Sequence, residues 1–249
     1  MIKGIFSSAK GMQPHSIKME VIANNLANVD TTGFKKENVF LQVLDQEQAL
    51  QREKAGLGEL AELDAREFTD YTQGSFKTTS DPLDVALLGD GFFAVETPQG
   101  IRYTRNGNFS LAQDGTIQTA TGYPVLGTSG RLKIDNWSKL STADISISSR
   151  GELLVDKVLA GQLRVVDFPK PYELEKEGTS LFKPKDPRTQ PVDADANTTV
   201  KQGMLEESNI DAIEEMVAMI ELNRTYETDQ RMTTIQDGTL DKAMDVGRI

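Results

Sequence analysis

Apolar residues recur along the start of the chain at alternating steps of three and four. Ile2, Ile5, Ala9, Met12, Ser16, Met19, Ala23 and Leu26 follow this rule, and Ser16 alone among them is polar. Such spacing holds one stripe on one side of a helix and predicts a coiled-coil-like segment. Pro14 falls inside the pattern, where its missing N–H predicts a kink or a second start. Gly4 and Gly11 lower the intrinsic stability, so the helix is marginal alone and needs a partner. The turn chemistry of Asn28-Val29-Asp30-Thr31-Thr32-Gly33 ends it. The far end of the chain repeats the design. Asp211-Ala212-Ile213-Glu214 predicts an N-cap with an acid at N3, followed by a helix running to about Val246. Its stripe reads Ala212, Met216, Met219, Asn223, Tyr226, Gln230, Thr233, Asp237, Leu240 and Met244, apolar first and polar in the middle. At about 1.5 Å per residue this helix reaches roughly 50 Å and requires other helices along its length.

From about Tyr71 to Gln202 the texture is that of strands: Thr, Val, Ile, Phe and Gly in short runs punctuated by turns. Arg102–Arg105 and Asn108–Leu111 flank Asn106-Gly107, which predicts a hairpin with a type I′ turn. Asp114-Gly115 predicts a second hairpin, joining Leu111 to Ile117. Further strand-like runs lie at Tyr123–Leu126, Leu132–Ile134, Ile145–Ile147, Glu152–Val155 and Leu163–Phe168, and Lys183 to Val192 reads as loop. Many short, closely spaced strands indicate an antiparallel all-β region. Residues 34–70 are a connector, with Gln46 to Arg66 open between a short helix and an irregular extended stretch. The expected fold is therefore α+β. A β-rich antiparallel central domain (71–203) lies between a helix at 1–30, the connector at 31–70 and a helix at 204–249, and the two helices pair in a coiled-coil-like inner core.

Charge sharpens this picture. The chain has 249 residues and a formal net charge of -11, which leaves no electrostatic footprint for nucleic acid. The charge is unevenly spread: residues 1–36 sum to +3 and residues 204–249 to −7, and opposite signs favour pairing of the terminal helices. Aromatics make up only 6%, so a core leaning on aliphatic and Met side chains is expected. The absence of Cys excludes disulfides, thiol catalysis and thiolate metal sites. Apolar stretches such as Val85 to Leu88 are short. A membrane-spanning helix needs far more, roughly 20 residues. Ser7, Ser8 and Lys10 interrupt the apolar region that a cleaved signal peptide requires.

Motifs for chemistry are weak. Gly89-Asp90-Gly91-Phe92-Phe93-Ala94 has the form of a dinucleotide fingerprint, but strand residues follow it where a helix is needed. A tight turn entering a buried strand is the better reading. Asp193-Ala194-Asp195-Ala196-Asn197 begins like a calcium loop, yet Thr198 stands where Gly is required and Met204 where the bidentate Glu belongs. Asp81 and Asp84 read as turn residues around Pro82. His15, the one histidine, has no acidic or nucleophilic neighbour in sequence and reads as a helix-surface or packing residue. No catalytic group, metal site or cofactor is expected. Two heptad helices around a β domain suggest a self-assembling subunit.

Ile22-Ala23-Asn24-Asn25-Leu26-Ala27-Asn28-Val29-Asp30-Thr31-Thr32-Gly33-Phe34-Lys35-Lys36 resembles the signature of the flagellar rod and hook proteins, the axial subunits of the bacterial flagellum. Its marked positions are Asn24, Asn25, Leu26, Ala27, Asn28, Thr32, Gly33 and Phe34. Asp90–Val95, Tyr103–Phe109, Gly122–Gly127, Gln202–Asn209, Glu214–Ile220 and Asn223–Glu227 resemble further segments of the family, so the likeness covers essentially the whole chain. It implies a non-enzymatic subunit of the basal-body rod, exported through the flagellar type III apparatus without a cleaved signal. Such subunits polymerise helically with copies of themselves and with other rod or hook subunits, outside any membrane, in the rod that spans the periplasm. The length and the opening Met1-Ile2-Lys3-Gly4-Ile5-Phe6 look most like a proximal rod subunit. A distal rod or hook-type subunit is the alternative, and a soluble periplasmic binding module the rival of another class. Ile5, Met12, Met19 and Leu26 are then expected to meet Met216, Met219 and Ile220, from the same or a neighbouring subunit, as the assembly interface.

Overall fold

The computed structural model describes residues 2–43, 63–134, 145–195 and 197–246, with the backbone alone described for residues 2–13, 41–43, 63–66, 237 and 240–246. The chain divides into two compact units, one of residues 1–27, 36–71 and 210–249 and one of residues 28–35 and 72–209.

In the first unit, helix α1 spans Ile2–Ala27 and continues through Pro14, and helix α2 spans Ala212–Val246. Asp211 caps α2 as the sequence predicts. Its Oδ1 accepts hydrogen bonds from the N–H groups of Ile213 (2.8 Å) and Glu214 (3.2 Å). These are two of the donors that a helix start leaves unpaired. α1 packs against α2 and against the strand Glu37–Val43. That strand pairs with Leu63–Thr69 in an antiparallel two-stranded ribbon of seven residue pairs. The connector is thus extended at both described ends. The stretch from Gln46, left open between helix and extended chain, falls mostly outside the described residues.

The second unit is β and antiparallel in its described strands. Its largest sheet has six strands in the order Leu174–Glu177, Leu181–Pro184, Gly100–Thr104, Phe92–Thr97, Val165–Asp167 and Val192–Asp193. Phe92–Thr97 lies at its middle and is covered on both faces, which explains its unbroken apolar run. Phe93 and Val95 enter an aliphatic core with Val85, Leu87, Ile117, Val125, Ile134, Leu153, Leu163 and Val200. Phe92 faces the other way, into a cluster with Phe168, Tyr172 and Phe182 at ring-centroid distances of 5.7 to 6.0 Å. Phe93 packs on Phe109 at 5.2 Å within the aliphatic core. That core is aliphatic as composition leads one to expect, but no methionine among the described residues is buried.

Two turn signals have different fates. Asp114-Gly115 makes its hairpin: Leu111 pairs with Ile117, and Gly115 takes φ +85°. Asn106-Gly107 does not. Gly100–Thr104 pairs with Phe92–Thr97 and Leu181–Pro184, whereas Phe109–Leu111 pairs with Ile117–Thr119. Gly107 lacks the positive φ of a type I′ turn. It is needed for close approach instead, since a Cβ there would lie 1.7 Å from the Val85 carbonyl oxygen. The pair hands the chain from one sheet to another, because its strands find better partners elsewhere.

Candidate functional site

The segment from Asn24 to Lys36 carries polar contacts that tie each unit together. In the helical unit, Asn25 is buried near the end of α1. Its Nδ2 donates to the Glu37 carbonyl (2.8 Å) and to Glu215 Oε2 (3.3 Å), and its Oδ1 accepts from the Glu37 N–H (3.0 Å). Asn24 Nδ2 donates to Glu37 Oε2 (3.1 Å). Glu215, also buried, is paired through Oε1 with Lys36 Nζ at 2.7 Å. One amide thus joins α1, the first strand and α2. Burial works against the Lys36 ammonium, but the hydrogen bond and charge of Glu215, with Glu214 and Asp70, hold its pKa above the ordinary value.

In the β unit, Thr31 Oγ1 donates to Asn28 Oδ1 and Thr32 Oγ1 to Asn106 Oδ1. Gly33 takes φ +68° and donates its N–H to the Glu206 carbonyl at 2.8 Å. A Cβ there would sit 2.4 Å from the Asn106 nitrogen, so only Gly fits. Phe34 is buried, with Lys176 Nζ 3.5 Å above its ring, a cation–π contact. Lys35 is completely buried. Its Nζ donates to Glu206 Oε1 and to the Thr72 carbonyl (2.7 Å). Glu206 also accepts from the Gly74 N–H (3.3 Å) and from Arg105 Nη1 (3.4 Å), and Arg105 Nη1 reaches the Gly89 carbonyl at 2.8 Å. Lys35, Glu206 and Arg105 form a buried ion cluster, which the sequence reading missed because 171 residues separate the first two.

Of the residues expected at the assembly interface, Met19, Leu26 and Met219 are half-buried, and Met216 and Ile220 are exposed. Ile5 and Met12 lie on α1, with side chains outside those described. Among the described side chains of the unit, α1 buries Pro14, Val21, Ile22 and Asn25, with Ser16 and Ala23 exposed, and α2 buries Glu215 and Leu222. His15 Nε2 approaches Asp229 Oδ2 at 3.7 Å. Over the described side chains, both buried faces are rotated from the stripes of best apolar periodicity. Pairing Asn25 and Lys36 with Glu215 overrides periodicity, because unpaired buried polar groups cost more than one exposed apolar side chain gains.

Burial also raises three of the five tyrosines. Tyr71 is pushed up to about 12 and Tyr103 is raised. Tyr172 is raised by burial, by its hydrogen bond to Asp167 and by the nearby charges of Asp167 and Asp90. A folded pKa above the unfolded one favours the protonated group in the fold. The stability that Lys36 and these tyrosines contribute is fully present below their ordinary values, about pH 10, and is lost as pH rises toward about 12. Circular dichroism and phenolate absorbance should therefore change together in that range. Phenolate formation complete before any loss of structure contradicts this.

The remaining motifs take the following positions. Gly89 and Gly91, at φ +104° and +129°, turn the chain into the buried strand Phe92–Thr97, as the sequence reading preferred. Asp195 uses its carboxylate to cap Asn197 locally. Among the described residues no cluster of three or more acids or His is arranged to hold a metal, and no helix is long and apolar enough to cross a membrane.

Comparison with known proteins agrees across the chain. Residues 7–35 match the family described as flagella basal body rod protein. Residues 86–155 match the flagellar hook protein FlgE/F/G D1 domain, and residues 201–246 the C-terminal part of flagellar basal body rod FlgEFG proteins. The flagellar basal-body rod protein FlgG of Bacillus subtilis is 31% identical over 273 aligned positions covering 100% of both chains. FlgG of Borreliella burgdorferi is 30% identical, again over 100% of both. The rod protein FlgF of Rhizobium meliloti is 29% identical over 98% of each. With the shared segment at its start, the β region and the C-terminal helix all matched in order, this chain is a structural, non-enzymatic rod subunit and belongs to the flagellar basal-body rod protein family.

Proposed function

We propose that this subunit polymerises helically into the rod through its terminal helices, with residues 1–30 and 204–249 in a coiled-coil-like inner core, 31–70 as connector and 71–203 as outer domain. The observation that carries this reading is the apolar surface of α2. Ile213, Met216, Val217 and Ile220 are 71%, 44%, 49% and 54% exposed on neighbouring turns of one helix. A contiguous exposed apolar face of this kind marks an interaction site. Ile5, Met12, Met19 and Leu26 of one subunit meet Met216, Met219 and Ile220 of the same or a neighbouring subunit. The opposite charges of the two terminal segments favour that pairing. Head-to-tail contacts repeated about an axis give an open helical polymer, and transmitting torque through it needs stiffness rather than chemistry.

The partners are further copies of this chain and other rod or hook subunits, reached by export through the flagellar type III apparatus. The position we assign is the proximal rod, with the distal rod as alternative. Labelling a surface position of the β unit in isolated basal bodies and imaging the label tests both. A label near the membrane-proximal end supports the proximal position. A label near the hook moves the chain to the distal rod, and none in the axial structure overturns the assembly reading.

A further inference from the structure

The first turns of α2 carry two unlike faces. Successive residues of a helix are rotated by about 100°. Glu215, Met219 and Leu222 therefore share one side, and Ile213, Met216, Val217 and Ile220 lie about half a turn away. Over residues 213–220 the second face is apolar, Arg224 and Arg231 lying further along the same side, and over those turns it offers α1 more apolar area. The chain nevertheless turns the first face inward, burying Glu215 and Leu222 and leaving the apolar four exposed. The polar groups supply the reason. With Glu215 inward, its carboxylate meets Lys36 Nζ at 2.7 Å and Asn25 Nδ2 at 3.3 Å, while Asn25 completes its bonding on the Glu37 backbone. Half a turn of α2 about its axis carries Glu215 away and takes from Asn25 and Lys36 the carboxylate they share. The penalty for that loss opposes the apolar gain.

We infer that Asn25, Lys36 and Glu215 select the face of α2 that its own α1 receives, so that the more apolar face stays open for a neighbouring subunit. The inference rests on the assembly reading for what the open face is for, but not for the selection itself. A buried polar pair that fixes orientation at the expense of the best hydrophobic fit is a known way to specify helix pairing. Here it prevents the chain from satisfying itself.

The chain has no cysteine, so introduced pairs report orientation without background. His15→Cys with Asp229→Cys reads the present orientation, because these side chains approach at 3.7 Å. His15→Cys with Arg231→Cys reads the opposite face. In the purified full-length chain, oxidation should link 15 to 229 and not to 231. Adding Asn25→Ala and Glu215→Ala should move at least half of the linked product from 229 to 231. Glu215→Gln, which can still bond Asn25, should keep it at 229. Adding Ile213→Gln and Ile220→Gln to the double alanine variant should return the link to 229, since the competing face is then polar. A link that stays at 229 in the alanine variant overturns the inference. So does loss of both links, which means that the polar groups hold the helices together without choosing a face. So does failure of the glutamine changes to restore the link. Incorporation of the alanine variant into basal bodies is scored separately and should fall at least tenfold. If the link moves but incorporation is normal, face selection stands and the assembly reading falls.

Discussion

Ile220→Asp should abolish incorporation into the rod, and motility with it, while leaving the subunit folded. Ile220 is 54% exposed on α2. In the isolated chain the new carboxylate therefore stays in water, and stability changes by no more than about 0.5 kcal/mol. In the proposed assembly the same position is covered by a neighbour, and an unpaired carboxylate buried there costs about 3 kcal/mol or more. That is ~100-fold in each contact, and the penalty recurs at every subunit added. The measurement pairs urea unfolding of the purified chain with quantification in isolated basal bodies. Leu222→Asp is the informative control. Leu222 is buried within the helical unit, so its replacement should lower stability as well as incorporation. Normal incorporation of Ile220→Asp would remove this face from the interface.

Glu206→Gln should destabilise the β unit by about 3–5 kcal/mol, a large part of the roughly 5–15 kcal/mol that holds a typical domain folded. The side chains of Glu206, Lys35 and Arg105 are 0%, 1% and 3% exposed. Removing the carboxylate leaves two buried cations without the charge they share, at a distance where mutual repulsion is weakly screened. Replacing all three at once, Lys35→Met with Arg105→Met and Glu206→Leu, should cost much less than the single change, because no charge is then left buried. Chemical denaturation of the three proteins settles the order. A single variant within about 1 kcal/mol of the parent, or a triple variant worse than the single one, contradicts the account. The cluster draws Lys35 from the family motif together with Glu206 from the entry to α2, which gives that motif a structural task in the β unit apart from assembly.

Local pattern was enough for the order helix, sheet, helix, and for several devices within it. Asp211 as cap, Asp114-Gly115 as hairpin turn and Gly89-Asp90-Gly91 as entry to a buried strand were legible because each depends on residues a few positions apart. Backbone donors at a helix start, a positive φ and an unbroken apolar run are local requirements, and local sequence states them. The family resemblance was equally legible, since the motif from Ile22 to Lys36 is contiguous. Tertiary structure alone decided which face each helix buries, where the strands around Asn106-Gly107 find partners, and that Lys35 and Arg105 share Glu206. Asn25 and Glu215 stand 190 residues apart, and neither signals the other along the chain. Periodicity ranks helix faces by apolar area, whereas the folded chain ranks them by what remains unpaired when that face is buried. A distant carboxylate can therefore turn a helix away from its most apolar stripe and leave that stripe exposed.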